Sequence, residues 1–127
     1  MHIPKDLLYT KEHAWVKVDD DIALIGITEE LHDILELIDG IDLPRKGDEL
    51  YIGDHCASIH YGGKLYDLPC PLTGRVTKVN TNLRHELGLL HYSPYDNGWI
   101  FEMEMDDIEE LELLMDSSDY QRELEEL

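Results

Sequence analysis

A single lysine beside two glycines is the feature of this sequence best suited to chemistry. Lys64 follows Gly62 and Gly63, and no other lysine or arginine occurs between Lys46 and Arg75. A lysine at a tight turn presents its primary amine far from the backbone, where a modifying enzyme can reach it. Glycine accepts the backbone angles that such turns require. Lys64 is therefore the candidate attachment point for a covalent group.

Two cysteines flank the same stretch. Cys56 and Cys70 are each seven residues from Gly63, so a three-residue turn would place them directly opposite each other across a hairpin. A disulfide there would have to meet a demanding geometry. We interpret both as buried, small apolar side chains, because two cysteines without a CxxC pattern are typical of a reducing compartment.

The histidines do not form a recognisable metal motif. None of the seven has the tight spacing of metal ligands. A fold that brought His55 and His60 beside His85 or His91 could change this, but nothing in the sequence indicates it, and we predict no metal site. The chain also lacks a nucleophile–base pattern and a phosphate-binding glycine motif. The sequence therefore contains no candidate catalytic residue.

Length and charge limit the function classes. The chain has 127 residues, 29 acidic against 10 basic side chains, and a formal net charge of −19. This length predicts one domain, residues 1–127. The charge excludes nucleic acid and anionic membranes as partners, since both need a basic face. The acidic side chains of the chain either form a solvated surface or dock onto basic partner enzymes. No secretory leader or membrane-spanning run is recognisable, so we expect a cytoplasmic protein.

The element that carries Lys64 is predicted from two apolar runs, 55–61 and 65–70, on either side of the glycines. Short apolar runs divided by two glycines are typical of a β-hairpin. We predict strands over 55–61 and 64–70, with residues 61–64 at an exposed tip.

Most other segments also have strand character. Residues 14–18 and 22–27 are β-rich and joined by three aspartates, which predicts a second hairpin. Large apolar side chains alternate with glutamates from Trp99 to Met105, which indicates a strand with one buried face. Residues 74–80 predict a further strand. The fold class is therefore mostly β, a sandwich or flattened barrel with peripheral helices.

Three helices are predicted around these strands. The first begins after Thr28 as N-cap, and its apolar stripe consists of Leu31, Ile34, Leu35 and Ile38. The last two lie near 107–115 and 118–126, where Ser118 and Gln121 match a capping box. We expect their apolar sides to pack onto the sandwich through Leu111, Leu114, Tyr120 and Leu124.

Five blocks of this sequence, in order and at similar spacing, resemble the glycine cleavage system H-protein family: YTKEHAWVKV, IGITEEL, DLPRKGDEL, PLTGRVTKVN and SPYDNGW. The resemblance extends over residues 8–125. It implies a lipoyl-domain-like β-sandwich of the hybrid-motif type, with a short internal helix, C-terminal helices and lipoic acid on a hairpin lysine. It also implies that His13, within KEHAW, is structural.

The resemblance implies a carrier and not an enzyme. Members of the family shuttle an intermediate, such as an aminomethyl group, on a lipoyl-lysine arm. Their partners are a decarboxylase, an aminomethyltransferase and a dihydrolipoyl dehydrogenase, and a lipoate ligase or lipoyltransferase attaches the cofactor. H-protein-like relatives also serve sulfur pathways that contain heterodisulfide-reductase-like enzymes, and that role remains an alternative. Biotin carriage is disfavoured, because Lys64 lacks flanking methionines.

The register of the motif leaves a second alternative open. Counted back without gaps from PLTG, the family's lipoyl lysine falls on Gly63, and its preceding glutamate falls on His60. Two glycines give the turn enough freedom to place Lys64 at the tip instead. We predict lipoylation of Lys64; the alternative is an unmodified scaffold or binding protein that has lost the site.

Overall fold

Two antiparallel β-sheets form the computed structural model, which describes residues 2–126. The strands are β1 (Leu8–Tyr9), β2 (Ala14–Asp19), β3 (Ile22–Ile27), β4 (Ile38–Asp42), β5 (Glu49–Leu50), β6 (His55–Tyr61), β7 (Lys64–Pro69), β8 (Gly74–Val79) and β9 (Phe101–Met105). The α-helices are α1 (Glu29–Leu35), α2 (Leu89–Tyr92) and α3 (Ser117–Glu125), and Thr81–Arg84 and Ile108–Leu113 are 3₁₀ helices.

The sheets pack face to face around a shared core. The larger sheet has the order β1-β2-β3-β9-β8-β5, and the smaller has the order β4-β6-β7. One apolar cluster contains Ile25 and Met103 from the larger sheet together with Ile59 and Leu68 from the smaller. The β-sandwich predicted from the sequence is confirmed. The smaller sheet is the one that carries Lys64.

The alternating pattern of β9 explains how that core is built. Phe101, Met103 and Met105 are buried, whereas Glu104 between them is exposed. Successive side chains of a strand point to opposite faces, so this strand contributes one apolar face to the sandwich. The predicted strands at 14–18, 22–27 and 74–80 are confirmed as β2, β3 and β8.

Helix α1 begins as predicted and ends earlier than predicted. The Thr28 side chain accepts a hydrogen bond from the Leu31 backbone N–H at 3.3 Å, which caps the helix. Two members of the predicted apolar stripe are misplaced: Ile34 is exposed, and Ile38 belongs to β4. The reason is Glu36, whose φ of 60° stops the helix after two turns.

The C-terminal segment packs on the sandwich as predicted, but its helices differ from the prediction. The segment near 107–115 forms a 3₁₀ helix, Ile108–Leu113, and not an α-helix. The cap of α3 is Asp116, whose carboxylate accepts the Asp119 N–H at 2.8 Å; the predicted Ser118 cap is wrong because Ser118 already lies inside the helix. Packing involves all four predicted apolar residues, Leu111, Leu114, Tyr120 and Leu124.

The short strands β1 and β4 were missed by the sequence patterns. Strand β4 contains Asp39, Gly40 and Asp42, residues that are depleted in strands, and pairs with β6 through a bulge between Ile38 and Gly40. Its place in the sheet comes from its partner and not from its own composition. Among residues 2–126, no helix has the length and apolar character to cross a membrane.

Candidate functional site

The hairpin of β6 and β7 closes with a two-residue turn. Tyr61 pairs with Lys64, and the turn residues Gly62 and Gly63 have φ angles of 53° and 80°. Positive φ at both central residues defines the primed turn whose twist matches that of the flanking strands. Residues 61–64 therefore form the tip, as predicted, and Lys64 is the first residue of β7.

Backbone conformation, and not space, is the reason for glycine at both turn positions. A Cβ atom added to Gly62 or Gly63 would meet no atom within 4 Å. Residues with a side chain rarely adopt positive φ, because Cβ then lies too close to the following carbonyl oxygen. The two glycines thus keep the turn to two residues and leave Lys64 directly beside it.

Strand periodicity decides which way Lys64 faces. Side chains alternate along β7, so Lys64 shares a face with Tyr66 and with Leu68, which is fully buried. Lys64 therefore lies on the core-facing side of the hairpin. It lies past the end of the core, however, so its side chain is exposed. Lys64 takes part in none of the salt bridges found within residues 2–126. Its amine is accessible, and no neighbouring carboxylate fixes it in place.

The tip rests against the end of α1. The backbone N–H of Gly62 donates a hydrogen bond to the carbonyl oxygen of Leu37 at 3.2 Å. A cavity of about 330 Å³ at this junction is lined by Ile34, Leu35, Glu36, Leu37, Tyr61, Gly62 and Lys64. The lysine therefore emerges beside an aliphatic surface that α1 supplies.

Tyr66 anchors the hairpin to the N-terminal loop. Its hydroxyl donates to the backbone oxygen of Glu12 at 2.9 Å. Burial raises the pKa of the Tyr66 phenol, and the nearby Glu12 carboxylate raises it further. The phenol is therefore a hydrogen-bond donor at neutral pH, and it ties β7 to the loop between β1 and β2.

The two cysteines lie at the base of the hairpin in a register different from the one expected. A two-residue turn pairs Ala57 with Leu68, and a bulge follows between His55 and Ala57, so Cys56 and Cys70 are not directly opposite each other. Both are buried and free, in agreement with the interpretation as small core side chains.

Each cysteine thiol donates to a backbone carbonyl. Sγ of Cys56 lies 3.4 Å from the carbonyl oxygen of Leu68, and Sγ of Cys70 lies 3.1 Å from that of Leu72. The neighbouring Cys70 thiol raises the pKa of Cys56, and burial raises it further, so Cys56 stays protonated at neutral pH. The base of the hairpin therefore holds two buried thiols whose donors are satisfied by the backbone.

Two of the histidines considered as metal ligands, His60 and His91, have other partners. Nε2 of His60 lies 2.8 Å from Oδ2 of Asp42 on the adjacent strand, and His91 stacks on His32 with ring centroids 4.4 Å apart. Within residues 2–126, no group of three or more His, Cys, Asp or Glu side chains is arranged to hold a metal ion.

His13 belongs to a buried network, as the structural interpretation of KEHAW expected. Its Nδ1 lies 2.7 Å from the hydroxyl of Tyr120, which is 2.9 Å from Oγ1 of Thr28. Burial lowers the pKa of His13, although Glu30, Glu12 and Glu123 oppose this shift. Burial therefore favours the neutral imidazole, and the network ties α3 to the start of α1.

Two residues of the site were missed by sequence analysis. Ile34 was predicted to lie on the buried stripe of a helix, and Leu37 was given no role, yet both face solvent beside the lysine. The available signal was the spacing itself: Leu37 lies off the predicted stripe, and a short helix can bury only one face.

Comparisons with known proteins give a consistent result. The family model described as "Glycine cleavage H-protein" matches residues 7–127. A glycine cleavage system H protein of Listeria monocytogenes (serotype 4a) is 42% identical over 125 residues, which span 98% of this chain and 100% of the relative. The protein of the same name from Carboxydothermus hydrogenoformans is 38% identical over 124 residues, which span 98% of this chain and 95% of the relative.

A solved structure agrees with these sequence matches. The crystal structure of a glycine cleavage system H protein from Mycobacterium marinum superimposes on this chain with a TM-score of 0.88. The two are 25% identical, and the match covers 97% of this chain and 99% of the other. Sequence and fold therefore lead to the same family.

Proposed function

The chain belongs to the glycine cleavage H-protein family, a family of lipoyl carriers, and we propose that it carries lipoic acid in amide linkage to Lys64. The observation that carries this proposal is the position of Lys64, which is exposed, forms no salt bridge with residues 2–126 and lies next to a two-glycine turn. The lipoyl group supplies a redox-active dithiolane at the end of a long flexible chain. The protein itself supplies no catalytic group and acts as a non-catalytic carrier.

The hairpin is suited to hold the root of such an arm. Two hydrogen bonds fix the hairpin to the rest of the molecule, one from Gly62 in the turn to Leu37 and one from Tyr66 on β7 to Glu12. A rigid root limits motion to the lysine side chain and whatever is attached to it. The protein thus positions the arm while leaving its far end free to visit several active sites.

The family suggests the reaction partners. We propose that this chain shuttles an intermediate, aminomethyl in the glycine system, between a decarboxylase and an aminomethyltransferase, and that a dihydrolipoyl dehydrogenase reoxidises the arm. The net charge of −19 favours partner surfaces with basic groups, since complementary charge speeds association.

An intact-mass experiment tests the attachment site. The protein is expressed with lipoate and the lipoate-attaching enzyme of its native organism, and its mass is compared with those of Lys64→Ala and Lys46→Ala. We expect a gain of one lipoyl group in the unchanged chain and in Lys46→Ala, and complete loss of the gain in Lys64→Ala. Lys46 is the matched control because it also lies beside a turn, Gly47 having a φ of 95°. A gain that survives Lys64→Ala would place the group on another lysine.

One observation favours a second function. The family's gapless register assigns the lipoyl position to Gly63, which has no amine. If the attaching enzyme requires that register, the chain is an unmodified scaffold that binds partners through its acidic surface. The double change Gly63→Lys with Lys64→Gly separates the two functions. If the double variant is modified and the unchanged chain is not, the result supports the scaffold. If the unchanged chain is modified, the result supports the carrier.

A further inference from the structure

The turn before β9 contains a pair of residues that can modify itself. Asn97 is followed by Gly98, and no other asparagine of the sequence precedes a glycine. The backbone nitrogen after an asparagine can attack that asparagine's side-chain amide, and it does so most readily in glycine, where no Cβ stands in the way. Asn97 is exposed to water, whereas Gly98 is buried. The reactive amide and its attacking nitrogen therefore lie in different environments.

Packing requires glycine at position 98. A Cβ atom added there would lie 2.5 Å from the carbonyl oxygen of Leu89 and 2.7 Å from that of Ser93. Both oxygens belong to the backbone of α2 and the residue that follows it, so neither can move aside as a flexible side chain would. The fold thus keeps the labile pair, because the residue that makes it labile is the one that fits.

The peptide group between Asn97 and Gly98 is held at both ends. Its carbonyl oxygen accepts a hydrogen bond from Nδ2 of Asn80 at 2.9 Å, and its N–H donates to the carbonyl oxygen of Ser93 at 2.7 Å. Oxygen and nitrogen of one peptide group lie in one rigid plane. We call these two hydrogen bonds the turn clamp, since together they fix the orientation of that plane.

Asn80 is itself fixed in the core. Its side chain is 3% exposed, and Nδ2 also donates to the carbonyl oxygen of Trp99 at 2.7 Å. Its backbone N–H donates to the carbonyl oxygen of Ile100 at 3.0 Å. Breaking the bonds of a buried polar group costs more than breaking those of an exposed one. The clamp is therefore anchored on its buried side.

Deamidation requires the clamped plane to turn. The Gly98 nitrogen loses its proton and forms a bond to Cγ of Asn97, the bond from Cγ to Nδ2 breaks, and ammonia leaves with that proton. Water then adds to a carbonyl carbon of the succinimide ring and opens it to aspartate or isoaspartate. The nitrogen reaches Cγ only by rotation about the Cα–C bond of Asn97, which breaks both bonds of the turn clamp.

We propose that Asn97–Gly98 is a deamidation site that the turn clamp keeps closed, and that the reaction proceeds through local opening of residues 93–99. The isoaspartate product leads the backbone through Cβ and Cγ of residue 97, so the clamped peptide group no longer exists in its original form. The modification is therefore one-way and leaves the junction of β8 and β9 without its Asn80 contact. It is independent of Lys64 and of any group attached there.

The first experiment compares the folded and the denatured chain at mildly alkaline pH. Aspartate and isoaspartate at position 97 are followed over time by peptide mass and by enzymatic isoaspartate methylation, with Asn97→Gln as the blank. We expect the folded chain to react at least about tenfold more slowly than the same chain in concentrated guanidinium chloride, since opening must precede reaction. Equal rates, or no reaction in either state, would overturn the proposal.

The second experiment removes the clamp from its buried side. Asn80→Ala deletes both hydrogen bonds that Nδ2 donates, and we expect deamidation of the folded protein to accelerate about tenfold. Asn82→Ala is the matched control, because Asn82 is an exposed asparagine on the adjacent 3₁₀ helix, and it should change the rate by less than about twofold. An unchanged rate in a folded Asn80→Ala, or equal acceleration in both variants, contradicts the clamp.

The third experiment needs only the unchanged chain and distinguishes local from global opening. Deamidation is measured at several urea concentrations below the unfolding transition. Local opening exposes little surface, so the rate should barely depend on urea, whereas global unfolding would make it rise with the slope of the equilibrium transition. A rate that rises with that full slope would assign the reaction to the unfolded chain and overturn local control by the turn clamp.

Discussion

The region around Tyr120 and the region around Lys64 lie at opposite ends of α1 and are built in opposite ways. Tyr120 is fully buried and stacked on Tyr9, with ring centroids 4.6 Å apart and planes 3° from parallel. At the other end of the helix, Leu37 is exposed and Glu36 has an unfavourable backbone conformation. One end of the helix is held by dense packing, and the other is kept open beside the lysine.

The packed region and the open region also differ in the sequence blocks that form them. The KEHAW block, with His13 and Trp15, belongs to the packed region, where Trp15 is buried and its indole N–H donates to the carbonyl of Pro94 at 2.9 Å. This block, which carries part of the resemblance, contributes buried side chains to the fold. The hairpin tip, where the chemistry is proposed, is the part for which the sequence analysis left an alternative open, because the gapless register assigns the lipoyl position to Gly63.

The largest effect is expected in the packed region. Tyr120→Ala removes a stacked ring together with the hydrogen bonds to His13 and Thr28, so it should lower the free energy of unfolding by about 3–5 kcal/mol. Tyr92→Ala is the matched control, because Tyr92 is 80% exposed and its loss should change stability by less than about 0.5 kcal/mol. Urea denaturation measures both, and equal losses would remove the contrast between packed and open regions.

The turn should show a smaller, conformational effect. Gly62→Ala and Gly63→Ala each force a Cβ into positive φ, so each should destabilise the protein by about 1–2 kcal/mol although neither creates a clash. Gly62→Asn is the control, since Asn-Gly is favoured in this turn type and should be nearly neutral. Thermal unfolding of the three variants checks the prediction. An unstable Asn variant would indicate that the turn needs glycine for another reason.

The strained end of α1 should gain stability on substitution. Glu36→Gly relieves an unfavourable backbone conformation and should raise the free energy of unfolding by about 1 kcal/mol. The same change at Asp33, inside the helix, should lower it by roughly 0.3 kcal/mol, because glycine is a weaker helix former than aspartate. Opposite signs in denaturant titrations of the two variants support strain at Glu36, and destabilisation by both contradicts it.

The smallest effect is a dependence on pH in the packed region. Burial lowers the pKa of His13 below its usual value, so the folded state resists protonation more than the unfolded state does. The stabilising contribution is therefore complete above the ordinary histidine pKa and is lost as the pH falls below it. His13→Asn keeps an acceptor and tolerates the φ of 71° but does not titrate, so its stability should fall less between pH 7 and 5. If the stability of the unchanged protein and that of His13→Asn fall in parallel as the pH is lowered, other groups cause the acid sensitivity.

Local patterns predicted much of the fold. Period-two alternation placed β9, the glycine pair placed the β6–β7 hairpin, and Thr28 marked the start of α1, since each pattern reflects contacts within one element or its immediate neighbour. The failures have a common cause. β4 and the end of α1 at Glu36 depend on a partner strand and on a backbone conformation that composition does not encode.

Short-range alternation, turn chemistry and motif order are properties of the linear chain, and they were enough to predict the β-sandwich class, the family and the lysine beside the turn. The folded structure was needed to show that the turn has two residues, that Lys64 lies on the core-facing side of the hairpin, and that Ile34 and Leu37 are exposed beside it. Register and exposure depend on which surfaces meet after folding, and a shift of one residue reverses the face of every side chain in a strand.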